Sequence, residues 1–464
     1  MTENSEISQL VKILGLNYGE KYMNKSDLSK LRYGKLMIMA DQDQDGSHIK
    51  GLVINFIHYK WPNLLKHDYI ECFITPILKV TKGSEVFSFY SMPEFEQWQT
   101  STPDWQKWKC KYYKGLGTST AREAKEYFSN MDRHRIIFKY ESAKDDLAIQ
   151  LAFNSALSDD RKDWIKWHTE DVNQRREQNL PMDYLYKKDT KQINFNDFVN
   201  KELVLFSKSS TERAIPNIMD GLKPGQRKIM FVCFTKNLIR EIKVAQLGGK
   251  VAENSAYHHG EQSLTNTIVG LAQNFIGSNN INFLVPAGQF GTRLHGGNDA
   301  ASARYIFTRL SPLALSIFIK SDEPLLTYLN EDGMSIEPEW YCPIIPTVLV
   351  NGAHGVGTGY STDIPSNPSS EPRKYSDVLT LRELIPWYRN FTGDIKLLDN
   401  DRTRGVINGV CAKLDDTSIE ITDLPVGTWT QNYKETVLET MLHPKRNDIA
   451  PSILDYKGLF YIFI

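Results

Sequence analysis

Cysteine is scarce in this chain. Five residues, Cys72, Cys110, Cys233, Cys342 and Cys411, are spread over 464 positions, and none forms a CxxC pair. That spacing argues against a disulfide framework or a zinc module and fits a reducing compartment. No apolar stretch is long enough to span a bilayer, so no membrane partner is expected. The opening MTENSEISQL does not read as a secretory leader. Neither GxGxxG nor GxxxxGK[ST] occurs, so nothing argues for a nucleotide site. Neither sign of charge dominates: 55 basic and 56 acidic side chains leave a net charge of -1. Nucleic-acid binding is thus neither required nor excluded, because it depends on where the charge sits. Internal repeats and heptad runs are also missing.

The length predicts two to four domains. Residues 35–40 read as a buried strand, and a helix is expected over 47–58 after the loop DQDQDG. One strand is expected over 69–80 and another over 86–90, with PEFEQW starting a helix. WKCKYYKGLGTS reads as a strand entering a glycine turn. STAREAKEYFSNM is then a helix, capped by Ser119 or Thr120 with Glu123 behind. Strands alternating with helices predict an α/β unit with a mostly parallel sheet. Residues 142–191 turn helical and highly charged, and NFNDFVNKELVLFS is expected to open a new unit. ERAIPNIMDGLKPGQRKIMFVCF has the rhythm of a helix-turn-helix. A mostly helical stretch should continue to about residue 320. GVINGVCAKLD and SIEITDLP read as short strands.

The most informative phrase is LMIMADQDQDGSHIKG, residues 36–51. In an extended loop, residues two apart project to one side. Asp41, Asp43 and Asp45 could therefore converge on one divalent cation, and hard oxygen ligands favour magnesium. A solvated acidic turn is the bland alternative. Gly46 lets the backbone turn toward a helix, whose first N–H groups could meet a phosphate. His48 suits a phosphate contact or a plain surface position equally. Lys114, beside a glycine turn, suits a phosphate or a developing charge, with a solvated lysine as the alternative.

Arg304 and Tyr305 stand together in GGNDAASARYIFTRL. A tyrosine that attacks phosphorus needs help losing its proton and positive charge around the phosphate. Arg304 can supply a rigid guanidinium, and the pair His258-His259 an acid–base group. With 22 tyrosines in the chain, an Arg-Tyr neighbour also arises by chance. Lys223, Arg227, Lys228, Lys236, Arg240 and Lys243 could track a DNA backbone or form a solvated face. The loop GQFGTRLHGG offers Arg293 and His295 as phosphate contacts.

Taken together, the phrases LRYGKLMIMADQDQDGSHIKG, KYYKGLGTSTAREAKEYF, IPNIMDGLKPGQRK, KVAQLGGKVAE, YHHGEQSL, GQFGTRLHGG, ARYIFTRLSPLA, EPEWYCPIIPTVLVNG, GVGTGYSTDIP and ITDLPVGTWTQNYKE stand in one order over nearly the whole chain. In that order the chain resembles the breakage–reunion core of eukaryotic type IIA DNA topoisomerases. The resemblance implies an α/β TOPRIM domain over 1–140 and a charged helical linker over 141–197. It further implies a mostly α winged-helix domain over 198–328 and a partial α+β tower domain over 329–464. It implies Asp41, Asp43 and Asp45 as metal acids and Lys114 as the TOPRIM lysine. Tyr305 becomes the nucleophile, with Arg304 and His259 beside it. Lys223, Arg227, Lys228, Arg293 and His295 become DNA contacts, and Ile364 an apolar wedge between base pairs.

The implied enzyme is an isomerase, a type II topoisomerase that hydrolyses ATP at full length. It cuts and rejoins double-stranded DNA through a 5′-phosphotyrosyl link, with Mg2+ (or Mn2+ or Ca2+ in its place), as a nuclear homodimer. No ATP site is expected within this chain. The resemblance also sets expectations about the ends. An EGDSA-type phrase, with a metal-ligating glutamate on the first strand of the sheet, is expected upstream of Met1. A coiled-coil gate is expected beyond FYIFI, so dimerisation is expected to be weakened. A catalytically weak or inactive DNA-binding protein built on this core is the alternative. SNPSSEPRKYSDVLT, Tyr360, Arg309 and Pro312 depart from the family pattern.

Overall fold

The computed structural model describes residues 4–257, 260–331, 333–367, 385–444 and 450–458. Two compact units result, Met1–Glu212 with Gly357–Tyr360, and Arg213–Val356 with Ser361–Ile464.

The first unit opens with α1 (Ser5–Leu14), β1 (Leu36–Met39), α2 (Gln44–Lys60), β2 (Ile70–Phe73), β3 (Leu78–Lys82) and β4 (Glu85–Phe89). Next come α3 (Met92–Ser101), β5 (Lys109–Tyr112), α4 (Ala121–Ser129), α5 (Met131–His134), β6 (Arg135–Lys139) and α6 (Ala143–Phe153). It continues through α7 (Ser158–Glu177), β7 (Gln192–Asn194), α8 (Phe195–Phe198), a π-helical turn (Val199–Leu203) and α9 (Val204–Ala214).

The main sheet runs β1-β2-β6-β7. β1 and β2 are parallel, as are β6 and β7, but β2 and β6 are antiparallel. The sheet is therefore mixed rather than mostly parallel. The chain between β2 and β6 forms a second small sheet with α3 and α4, and α5 then leads directly into β6, antiparallel to β2. The expected strand over 69–80 is in fact two, β2 and β3, in different sheets. β3 is the centre of a small antiparallel sheet, β4-β3-β5, closed over Phe89 and Phe95.

The charged stretch 142–191 is more than a connector. Ala148, Ile149, Trp164 and Ile165 are buried in the same core as Ile54, Ile57, Phe138 and Phe195. β7 and the apolar face of 195–204 complete that core, so NFNDFVNKELVLFS closes the first unit rather than opening the next.

The second unit is built on α10 (Pro224–Thr235), β8 (Ile242–Lys243), α11 (Val244–Asn254) and α12 (Glu261–Ala272). After a long irregular stretch come β9 (Phe307–Thr308), α13 (Pro312–Ile317), the hairpin β10 (Tyr328–Glu331) and β11 (Met334–Pro338), and α14 (Thr347–Val350). Pro312 begins α13, the position where its missing N–H costs nothing. Small antiparallel pairs follow: β12 (Ala353–Val356) with β13 (Ser361–Ile364), β14 (Asp394–Leu398) with β15 (Asp401–Asn408), and β16 (Val410–Lys413) with β17 (Ile419–Asp423). The strands expected in GVINGVCAKLD and SIEITDLP are thus present. Ile229, Val251, Ile268, Leu284, Ile306 and Phe318 form the core. Mostly helical in its first third, the unit is largely irregular over 273–306.

Candidate active site

β1 delivers the chain to Asp41 at the end of the sheet, and α2 starts three residues later. The acidic run is therefore not one extended strip. Asp43 is the N-cap of α2, its Oδ1 accepting from the Gly46 N–H at 2.7 Å, and Asp45 sits in the first helical turn. The alternate spacing thus does not put all three carboxylates on one side of an extended loop. Helix formation wins because an Asp at the cap satisfies an otherwise orphaned N–H. Gly46 is needed for close approach: a Cβ there would stand 1.9 Å from the Asp41 carbonyl oxygen.

Asp41 turns the other way. Its Oδ1 accepts from the Leu116 N–H at 2.6 Å, across 75 residues of sequence. A Cβ on Gly115 would lie 3.0 Å from the same carboxylate, so that glycine also makes room. The acidic loop and the Lys114 turn are thus joined. Glu123 supports the turn from behind. It closes the capping box of α4 with Thr120 and accepts from Lys111 Nζ at 2.9 Å and from the Tyr113 hydroxyl. Burial pushes the Glu123 carboxyl up, but the Tyr113, Thr120 and Lys111 hydrogen bonds outweigh it and hold it at about 2. His48 stacks on Phe206, ring centroids 3.9 Å apart.

Among the described residues, no group of three His, Cys, Asp or Glu side chains is gathered as a ready-made metal cage. The donor chemistry still fits magnesium, which is commonly held by one or two carboxylates and keeps several waters. The Asp41 and Asp43 hydrogen bonds each engage Oδ1.

In the second unit, Tyr305 lies on a turn directly before β9 and is 67% exposed. The turn around it is fixed. The first N–H groups of α11 hold it from one side: Val244 donates to the Ile306 carbonyl at 3.0 Å and Ala245 to the Ala303 carbonyl at 3.1 Å. On the other side, Ala287 and Phe307 exchange backbone hydrogen bonds at 3.1 and 2.9 Å. Ile306 is buried as the anchor while its neighbour projects outward. The Arg304 guanidinium lies 5.0 Å from the centre of the Tyr305 ring. The backbone is held and the hydroxyl presented, as a nucleophile requires. The N-terminal end of α11, with its partial positive charge, abuts this turn.

The expected basic face divides. Lys236, Arg240 and Lys243 are exposed. Lys223 is half-buried, and burial pushes its ammonium below the ordinary lysine value. Arg227 is turned inward at 5% exposure, with Nε and Nη2 donating to Asp220 at 2.7 and 3.0 Å. Lys228 donates to Glu337 at 2.9 Å and to the Ser255 carbonyl at 2.6 Å. These two cations are spent inside the protein because α10 points them at buried acceptors, a correction to the expected solvent-facing stripe. Arg293 is likewise engaged, with Asp423 at 2.6 Å, and Asp423 also accepts from the Thr392 N–H and hydroxyl. His295 is exposed. Ile364 is half-buried at the end of β13, opposite Ala353. His259 lies outside the described residues.

A family profile for the A-type chain of DNA gyrase/topoisomerase IV matches residues 213–458. The chain belongs to the type IIA DNA topoisomerases. A second profile, for the C-terminal associated domain of TOPRIM, matches residues 73–211. Mouse DNA topoisomerase 2-alpha is 56% identical over 460 residues, covering 98% of this chain and 30% of the mouse protein. Chicken DNA topoisomerase 2-beta is 56% identical over 459 residues, covering 98% of this chain and 28% of the chicken protein. The chain therefore spans about 30% of the length of these curated relatives. A solved structure of the Plasmodium falciparum topoisomerase II DNA-binding, cleavage and re-ligation domain superposes with a TM-score of 0.72 at 48% identity. It covers 95% of this chain and 58% of that one. This part of a eukaryotic topoisomerase is a breakage–reunion core.

Sequence reasoning missed several buried charged residues next to these candidates. Asp220, fully buried, accepts from Arg227 and from the Leu222 and Tyr341 N–H groups. Glu202 and Lys50 are buried partners beneath the acidic loop. The one available signal was a charge inside an apolar run, as in NKELVLF.

Proposed function

We propose that this chain carries out transient double-strand DNA cleavage and religation, as the breakage–reunion part of an ATP-dependent type II topoisomerase. The observation that carries the reading is the exposed Tyr305 on a turn pinned at both flanks, with Arg304 over its ring. Tyr305 Oη attacks a backbone phosphorus and gives up its proton. A new O–P bond forms to tyrosine, the bond from phosphorus to the 3′-oxygen breaks, and that oxygen takes up a proton to leave as a 3′-hydroxyl. The reverse attack reseals the strand, so bond energy is kept in the phosphotyrosyl link.

Arg304 and His259 serve the reacting phosphate, and Lys114 the charge near the scissile bond. Asp41, Asp43 and Asp45 are the residues that would hold magnesium, which supplies positive charge at the leaving oxygen. The hydrogen bond from Leu116 to Asp41 supports this grouping of acids and lysine. Lys223 and His295 are placed on double-stranded DNA, with Ile364 as the wedge. Arg227, Lys228 and Arg293 act there through the turns they brace rather than as free cations. The TOPRIM, winged-helix and tower assignments, the homodimer and a nuclear site of action belong to the same reading.

Covalent capture tests it. The chain is incubated with end-labelled supercoiled DNA and Mg2+, denatured, and assayed for DNA attached to protein, beside Tyr305→Phe. A Tyr305-dependent adduct is expected. DNA binding without any adduct would favour a DNA-binding protein that has lost cleavage, and an adduct in Tyr305→Phe would remove Tyr305 as the nucleophile.

A further inference from the structure

Beneath the acidic loop lies a buried polar group that the cleavage chemistry does not use. Glu202 is 8% exposed and Lys50 3% exposed, and both sit in the apolar core of the first unit. Glu202 belongs to the π-helical turn Val199–Leu203, between α8 and α9. π-Helical turns are rare and are frequently found at functional sites. This one buries Val199 and Leu203 beside Glu202.

Both oxygens of Glu202 are used. Oε1 accepts from Ser47 Oγ at 2.6 Å and from Lys50 Nζ, and Oε2 accepts from the Tyr186 hydroxyl. Ser47 is the link to the loop. Its Oγ lies 3.0 Å from the Asp43 carbonyl oxygen, and its N–H donates to that oxygen at 3.1 Å. Ser47 and Lys50 stand three apart, on one face of α2. One carboxylate therefore grips the first two turns of α2, at Ser47 and Lys50, and reaches the capping residue through the serine.

Net stability is a poor reason for this arrangement. A buried ion pair seldom stabilises more than well-packed apolar side chains of the same size. What a helix start held at two points does supply is a fixed rotation and height for Asp43 and Asp45. Magnesium tolerates little departure from octahedral geometry, so the placement of its carboxylates governs its affinity. Hydrogen-bond partners behind metal ligands act in this way.

We propose that Glu202 is a positioning residue for the acidic loop, acting through Ser47 to set its affinity for a divalent cation. This rests on the reading of that loop as a metal site.

The test is a Mn2+ titration of the full chain, following free Mn2+ by electron paramagnetic resonance, with thermal unfolding of each variant in parallel. Ser47→Ala removes only the link and keeps the buried pair. It is expected to weaken Mn2+ binding about 10-fold while the chain stays folded. Glu202→Gln should weaken binding at least as much. Tyr186→Phe loosens the far side of Glu202 and should lower the melting temperature with little change in Mn2+ affinity. Parent-like Mn2+ binding in folded Ser47→Ala overturns the positioning role, as does equal weakening in Tyr186→Phe. No saturable binding in the parent chain, or unchanged binding in Asp43→Ala, overturns the metal reading itself.

Discussion

Arg227 shows why residue type alone could not assign a role. Its place in a basic run suggests a phosphate contact, yet its guanidinium forks onto Asp220, a carboxylate with no exposure at all. Asp220 also receives the Leu222 and Tyr341 N–H groups, so the pair ties the turn before α10 to residue 341. Arg227→Ala should cost about 3–5 kcal/mol, because it leaves a buried carboxylate without its cation. Urea unfolding of the chain would check this. A change under about 1 kcal/mol would mean that the Leu222 and Tyr341 N–H groups alone suffice to hold the buried carboxylate. Tyr305 is the opposite case: the family resemblance singled it out, and it stands exposed on its turn. Its supporting bonds from Val244, Ala245 and Ala287 were invisible because they are backbone contacts from distant segments.

Elements were legible where local chemistry decides them. The cap at Thr120 with Glu123 behind it was readable because a capping box spans four residues. The further use of Glu123 by Lys111 and Tyr113 was not, since it depends on how β5 is laid beside α4. Burial raises the Glu123 carboxyl, and the Tyr113, Thr120 and Lys111 bonds more than reverse this, to about 2 from an ordinary 4.5. The sign follows from the depressed folded value. The stabilisation is fully present above about 4.5, the unfolded value, and is lost as pH falls toward about 2. Glu123→Gln should therefore lower stability at neutral pH and remove this acid-dependent loss. The check is the stability difference between the two proteins at about pH 7 and near pH 3. A difference that does not shrink on acidification would rule out the ionised Glu123 as its source. At α2 the sequence misjudged the start by three residues, because Asp43 rather than a later residue caps the helix.

Within the second unit, distant segments meet at Asp423, which accepts from Arg293 and Thr392. Burial pushes its carboxyl up, and the Thr392 and Arg293 hydrogen bonds bring it below the ordinary value. The glycine-rich loop 288–297 is thereby fastened to the end of β17. Cutting this tie differs from removing a surface phosphate contact. Arg293→Gln should speed amide hydrogen exchange across residues 288–297 and lower stability in the absence of DNA. Lys223→Ala should leave that exchange unchanged, weaken DNA binding, and reduce the salt slope of log affinity by about 1. The comparison is decided by exchange mass spectrometry together with binding at several salt concentrations. Unchanged exchange in Arg293→Gln would return Arg293 to the role of a plain DNA contact.

The amino-acid order by itself determined the strand before Asp41, the helix after it, the capped helix behind Lys114, and which tyrosine stands beside Arg304. These follow from periodicity, capping and motif, all of which act over a few residues. Only the tertiary structure decided that Asp41 bonds to the Leu116 N–H, that the main sheet is mixed, and that Arg227 and Lys228 are consumed internally. It alone placed Glu202 under the acidic loop, 155 residues from Ser47. Pairing direction and the partners of buried charges are set by how elements pack, and that energy belongs to pairs of segments rather than to any one of them.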